Sequence, residues 1–185
     1  MIHSSLPHRI FLDTGVLQYL LRFGESIFEN VEVCPDDPVH RVPEALSDIE
    51  GMRMLCFMNQ RNAFELVVSE SSLKEVLEAR SGRYTSWLVE LWDYWCGVEA
   101  AYNGAAYHGF GTATRQKVAQ RQFDYLSAKD RALIADAGEK ECDTFLTVDR
   151  RLARNGRHLR RELEISVMTP TQIVEVLQPW AGLLP

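Results

Sequence analysis

Four carboxylic acids in this sequence fall where chemistry could use them. Asp13 closes a short apolar run, Ile10-Phe-Leu, and Asp149 closes another, Thr144-Phe-Leu-Thr-Val. Glu75 and Asp130 end the patterns Ser72-Leu-Lys-Glu75 and Ser127-Ala-Lys-Asp130, each of which has the form of a capping box opening a helix. Taken singly, each acid has a structural use: Asp13 and Asp149 as N-caps, Glu75 and Asp130 as third residues of their boxes. Taken together on one edge of a sheet, they would repel one another and raise each other's pKa unless a cation neutralised them. Oxygen ligands without His or Cys select a hard cation, Mg2+ or Mn2+, rather than zinc. Such a site can activate water and stabilise charge on a phosphate.

The elements that must position these acids alternate in type. The run 9–12 reads as a strand and 15–22 as a helix, with Val16, Leu17, Leu20 and Leu21 at helical spacing. A helix is expected over 45–60, and a strand over 64–68 followed by a helix opened at Ser72. Residues 83–102 carry Trp87, Leu88, Leu91, Trp92, Trp95 and Val98 on one helical face, for which core packing is the favoured use. The Gly-rich run 103–111 reads as a flexible loop leading to a helix over 116–126. The helix opened at Ser127, a strand at 144–148, an Arg-rich helical segment, a strand at 165–168 and a helix with Pro170 in its first position complete the pattern. Such alternation implies a three-layer α/β/α sandwich with a mainly parallel central sheet, whose functional groups gather at the carboxyl ends of the strands. The helix opened at Ser127, which precedes 144–148, must run antiparallel to that strand, which brings Asp130 to the same edge as Asp13 and Asp149. Asp143, just before the strand, belongs at the opposite edge in a turn role.

Composition sets the limits. The chain has 185 residues, 46% of them hydrophobic and 25% charged, which fits a single domain over 1–185 with an ordinary core. Residues 24–44 form an acidic, Pro-broken surface insertion, and 83–126 an extended helical segment. No run approaches the roughly 18 apolar residues of a membrane span, so a protein of the cytoplasm without membrane contact is expected. Cys34, Cys56, Cys96 and Cys142 show no metal or disulfide spacing and read as free buried thiols. The net charge of −6 argues against bulk electrostatic coating of nucleic acid while leaving room for a local basic surface. That surface is expected directly after Asp149, at Arg150, Arg151 and Arg154 and on through Arg157, His158, Arg160 and Arg161, either tracking phosphates or pairing with Glu162 and Glu164.

The segments Ile10-Phe-Leu-Asp13-Thr14, 69–75, Asp130-Arg-Ala-Leu-Ile-Ala135 and Leu146-Thr-Val-Asp149 resemble, in order and context, the four acidic motifs of PIN-domain (PilT N-terminus) ribonucleases, including toxins of the VapC type. The resemblance implies that Asp13, Asp130 and Asp149 are ligands of Mg2+ or Mn2+ and that Glu75 completes the catalytic set. The hydroxyls of Thr14 and Thr147, beside the acids, are expected either to hydrogen-bond a carboxylate or water or to serve as ordinary turn caps or strand-facing groups, and the resemblance implies single-stranded RNA as the substrate. It implies as partners a small antitoxin and a second copy of the chain in a homodimer. The additional length over 24–44 and 83–126 departs from the toxins, and Asp136 stands where small or hydroxyl residues are common; a solvent-exposed position is expected for it. Two other readings compete. One is a catalytically silent PIN-like scaffold for RNA or protein. The other is a phosphatase with Asp13 as nucleophile, which would require a second Asp where Gly15 stands.

Overall fold

The protein, seen in a computed structural model, is described over residues 6–62, 64–79, 83–102 and 110–180. Its strands are β1 (Arg9–Leu12), β2 (Glu65–Val67), β3 (Thr144–Leu146) and β4 (Ser166–Met168). All pairings are parallel, in the order β2-β1-β3-β4. The helices are α1 (Thr14–Arg22), α2 (Gly24–Phe28), α3 (Ala45–Asn62), α4 (Glu70–Ala79), α5 (Thr85–Tyr102), α6 (Phe110–Val118), α7 (Ala128–Glu139), α8 (Arg150–Arg154), α9 (Gly156–Leu163) and α10 (Pro170–Leu177). None of these helices is long and apolar enough to cross a membrane.

Side chains alternate across a strand with period two, so each strand supplies both faces of the sheet. Ile10, Leu12, Leu66, Val68 and Leu146 join one core with residues of α1, α3, α4, α5 and α10. Phe11, Val67, Phe145 and Val167 join the other with residues of α6, α7, α8 and α9. The two cores are the filling of a three-layer α/β/α sandwich, as the alternation of elements predicts. Phe11 stacks on its register partner Phe145 with ring centroids 5.2 Å apart, binding the two central strands on the second face.

Connections leave β1 toward β2 on the first face and β3 toward β4 on the second, so the chain switches direction between β1 and β3. In an open parallel sheet this divergence leaves a crevice beyond the carboxyl ends of the two strands. Asp13 and Asp149 stand at its sides.

Several sequence expectations need correction. The segment 24–44 is not merely a surface insertion: it holds α2 and a 3-10 turn at Pro38–Arg41, and Ile27 and Val39 are buried in the first core. The helix placed at 116–126 is instead α6 ending at Val118, followed by a single 3-10 turn, Arg121–Phe123, that buries Phe123. Cys34 and Cys96 are exposed rather than buried. The loop expected over 103–111 lies outside the described residues as far as position 109, and Phe110 and Gly111 already belong to α6. Trp87, Leu91 and Trp92 pack against the first core as their spacing implied.

One close approach fixes how α10 sits. A Cβ on Gly51, in the middle of α3, would lie 2.6 Å from both the carbonyl carbon and oxygen of Pro170. Backbone cannot yield there as a flexible side chain could. Gly51→Ala should therefore lower stability by about 1–3 kcal/mol through overpacking, measured by urea denaturation; an unchanged midpoint would show that α3 and α10 do not pack this closely.

Candidate active site

The apolar run of β1 ends because Asp13 cannot be accommodated in the core, and helix α1 begins at the next residue. Asp13 has extended backbone angles, and its side chain makes no capping bond to α1. Its amide instead donates to the carbonyl of Leu146 at 3.0 Å, extending the β1–β3 ladder by one rung. The carboxylate is thus free of capping duty and turned toward β3.

Thr147, 0% exposed, joins the strand ends. Its hydroxyl donates to Asp13 Oδ2 at 2.7 Å and accepts from the amide of Asp149 at 3.0 Å. Its own amide donates to Met168 at 3.0 Å, so its position is fixed by β4 as well. Asp149 caps α8, with Oδ1 accepting from the amides of Arg151 at 2.7 Å and Leu152 at 3.3 Å. Thr14 acts on the other side: its buried hydroxyl donates to Ser72 Oγ at 3.0 Å, and Ser69 Oγ donates to the same oxygen at 2.9 Å. These hydroxyls tie the carboxyl end of β1 to that of β2.

Asp130 is the third residue of a complete capping box. Asp130 Oδ2 accepts from the amide and hydroxyl of Ser127, at 3.2 and 2.7 Å, while its amide donates back to Ser127 Oγ at 3.0 Å. Burial pushes the Asp13 carboxyl above the usual carboxylate range, and the negative charge of Asp130 adds to the rise. The Thr147 hydroxyl, the Thr14 amide and the Lys129 ammonium oppose it. Helix α7 therefore does bring Asp130 to the edge that Asp13 occupies.

Glu75 departs from its expected place. Ser69, not Ser72, caps the helix by accepting from the Ser72 amide at 3.0 Å, so α4 starts at Glu70 and Glu75 falls in its second turn. A Ser at 69 and another at 72 offer two caps in the same frame, and Ser72 is engaged by Thr14 instead. Glu75 is exposed and accepts from Lys129 Nζ at 2.8 and 2.7 Å through its two oxygens. Among the described residues, no three His, Cys, Asp or Glu side chains gather where one metal ion could reach them. The expected convergence of four acids thus reduces to the coupled pair Asp13 and Asp130, with Asp149 joined through Thr147 and Glu75 held at the rim. The cation in this neighbourhood is Lys129, whose position beside Asp130 is the only sign of it in the sequence.

Other acids and the arginines fall as follows. Asp143 sits at the opposite edge, accepting from the amides of His8 and Arg9 at 2.9 and 3.0 Å, as a turn role requires. Asp136 is half-buried, not solvent-exposed, and pairs with Arg115 at 3.4 Å. Arg150 is engaged by Glu44 and by Asp48, a carboxylate 2% exposed that also accepts from the Thr171 amide and hydroxyl. Asp48 was not legible as a partner, because it lies 102 residues from Arg150 in the chain. Arg151 and Arg154 are exposed and make no ion pair among the described residues.

The donor set fits a hard cation if the cation keeps most of its water. Mg2+ is commonly held by one or two carboxylates and several waters rather than by a closed cage. Asp13 and Asp130 are the two carboxylates that could serve in this way, since the charge of Asp130 acts on the largely desolvated Asp13. Comparison with family models, with curated proteins and with solved structures finds no match for this chain.

A carboxyl whose pKa is higher folded than unfolded holds its proton more tightly in the native state. Its contribution to stability is complete below the unfolded value and is lost as pH rises through the folded one. Asp13→Asn, which never acquires the charge, should then melt at a higher temperature than the native protein at neutral pH in EDTA. That gain should shrink to nothing as pH falls below the usual carboxylate range, and a gain independent of pH would place Asp13 in a solvated position.

Proposed function

We propose that this chain is a metal-dependent endoribonuclease of PIN-like type that hydrolyses phosphodiester bonds in single-stranded RNA in the cytoplasm. The observation that carries the reading is the half-buried carboxylate of Asp13 at the crevice between β1 and β3, held by Thr147, which also joins it to Asp149, and acted on by the charge of Asp130. The order of acidic motifs supports the same reading.

In this reading Asp13 and Asp130 would hold Mg2+ or Mn2+, and the Asp149 oxygen not engaged in capping α8 would act on the ion only through one of its waters. The ion, when bound, lowers the pKa of a coordinated water and stabilises charge on the phosphate. The chain's own part is positional. Thr147 holds Asp13 by a donated hydrogen bond that favours its ionised form, and Thr14, with Ser69 and Ser72, keeps the α1 start from shifting. Hydrolysis adds water across the bond: the P–O bond to the leaving ribose oxygen breaks as the water oxygen bonds to phosphorus. Glu75 at the rim would orient that water, and Lys129 would balance the acids before substrate arrives. Arg151 and Arg154 would flank the strand. The toxin of a toxin–antitoxin pair, with a small antitoxin protein and a homodimer as its partners, is the biological setting that the resemblance favours.

A second reading has one observation in its favour. Because no three acids gather within reach of one ion among the described residues, the fold could serve as a catalytically silent scaffold that binds RNA or a protein.

Incubation of the purified protein with a mixed single-stranded RNA decides between these. Cleavage should require Mg2+ or Mn2+, stop in EDTA, and fall in Asp13→Asn and Asp130→Asn by more than the roughly 10- to 100-fold typical of losing only an outer-shell partner. RNA binding without cleavage under every metal condition would favour the scaffold. Lys129→Met should tighten Mn2+ binding several-fold in a calorimetric titration, since it removes a cation competing for the same acids. Unchanged or weaker binding would show that Lys129 does not compete there.

A further inference from the structure

Beyond Asp149 the chain forms α8 and α9, which meet at Asn155 and Gly156. A Cβ on Gly156 would lie 2.8 Å from the carbonyl oxygen of Val167, so only glycine lets this junction settle on the free edge of β4. Seated there, α8 and α9 face α10 across two cavities, of about 650 and 530 Å3. Both are lined by Ala153, Arg154, Gln172 and Glu175, so they form one continuous groove. Arg150, the residue after Asp149, lines the near end, and Arg157 and Arg160 line the far end.

The charges in this groove are unevenly satisfied. Arg150 is neutralised by Glu44 and Asp48. Arg154, Arg157 and Arg160 are exposed and make no ion pair among the described residues. Glu175 is the one acid lining the far cavity, so three arginines against one glutamate leave a local charge of +2 in a chain whose net charge is −6. Three guanidinium groups and a single carboxylate line this cavity, a charge balance that an anionic occupant would complement. Guanidinium groups suit phosphate oxygens by shape as well as charge. Neither cavity is lined by an aromatic side chain, so bases have no stacking platform and the contact is with the backbone alone.

We propose that the groove between α8–α9 and α10 is a binding track for the phosphodiester backbone of single-stranded RNA, with Arg154, Arg157 and Arg160 contacting phosphates that lead away from the candidate active site. The choice of RNA rests on the nuclease reading; the anionic character of the occupant does not. Arg150 serves as a fixed post at the junction, and its pairing with the buried Asp48 holds α8 against the start of α10. Recognition in the track is independent of sequence.

The test is fluorescence anisotropy of a labelled 12-nucleotide single-stranded RNA with the full chain in EDTA, over a range of salt. The variants are Arg154→Gln/Arg157→Gln/Arg160→Gln together and, as a control away from the groove, Arg121→Gln; circular dichroism and melting verify their folding. The triple variant should bind more than about tenfold more weakly, and its plot of log affinity against log salt should be shallower by about 2, from about 0.7 per phosphate contact for a single strand. Arg121→Gln should match the native chain, and oligo(U) should bind as the mixed sequence does. Equal affinity and equal salt slope in the triple variant would overturn the proposal. A polyglutamate peptide of the same length binding more tightly than RNA, and lost in the triple variant, would overturn it in favour of an acidic protein partner. If the track binds RNA but the protein cuts none with Mg2+ or Mn2+, the nuclease reading fails while the track stands.

Discussion

The hydrogen bond from Thr147 to Asp13 is the contact on which the candidate site depends. Asp13 is placed in surroundings that disfavour its charge, at the point where the sheet's connections diverge, and the Thr14 amide at the start of α1 offsets only part of that cost. Thr147 is fully buried, is tied by its amide to β4, and carries the hydroxyl that compensates. The same hydroxyl receives the Asp149 amide, so one side chain registers the ends of β1 and β3 against each other. Without it the strand ends would still pair through Asp13 and Leu146, but the carboxylate would lose its fixed partner in a low-dielectric setting, where an unpaired polar group is most costly.

Electrostatics then separates the acids by task. The charge of Asp130 adds to the burial that opposes ionisation of Asp13, which is unfavourable for the isolated fold and useful to a site that takes up a cation. Glu75 and Lys129 form an exposed pair of the kind that adds little to stability; its interest lies in where the ammonium stands. Asp48 and Arg150 form a different kind of pair, with Asp48 buried and every contact hydrogen-bonded, and it anchors the segment that carries the remaining arginines. A chain acidic overall can thus present a basic track beside an acidic crevice, because Glu44 and Asp48 are bound to Arg150 while Arg154, Arg157 and Arg160 outnumber Glu175 along the far part of the track.

The sheet and the placement of Asp13, Asp130 and Asp149 were legible in the sequence because local signals agree there. A short continuous apolar run stops at an acid, a Ser-x-x-Asp box opens a helix, and Pro170 starts the last one. Glu75 was misplaced because Ser69 caps the helix, while Ser72, which alone has an acid three residues on, is taken up by the distant Thr14. What remained hidden was non-local. Nothing in the order of residues pairs Arg150 with Asp48, buries Phe123 in a 3-10 turn, or brings Gly156 onto the edge of β4. Those outcomes depend on packing between elements far apart in the chain. The convergence of all four acids was an inference from shared edge alone, and an edge is wider than a coordination sphere.

The most direct measurement is the melting temperature of the protein with and without Mn2+, for the native chain and for Asp13→Asn, Asp130→Asn and Asp136→Asn. An ion that binds only the folded state raises stability with its concentration. The account requires a rise in the native chain and in Asp136→Asn, whose acid is half-buried on the same helix as Asp130 but paired elsewhere, and no rise in the other two variants. A Mn2+ effect that survives in Asp13→Asn and Asp130→Asn, or that is absent from the native chain, would contradict the claim that these two carboxylates form a cation site.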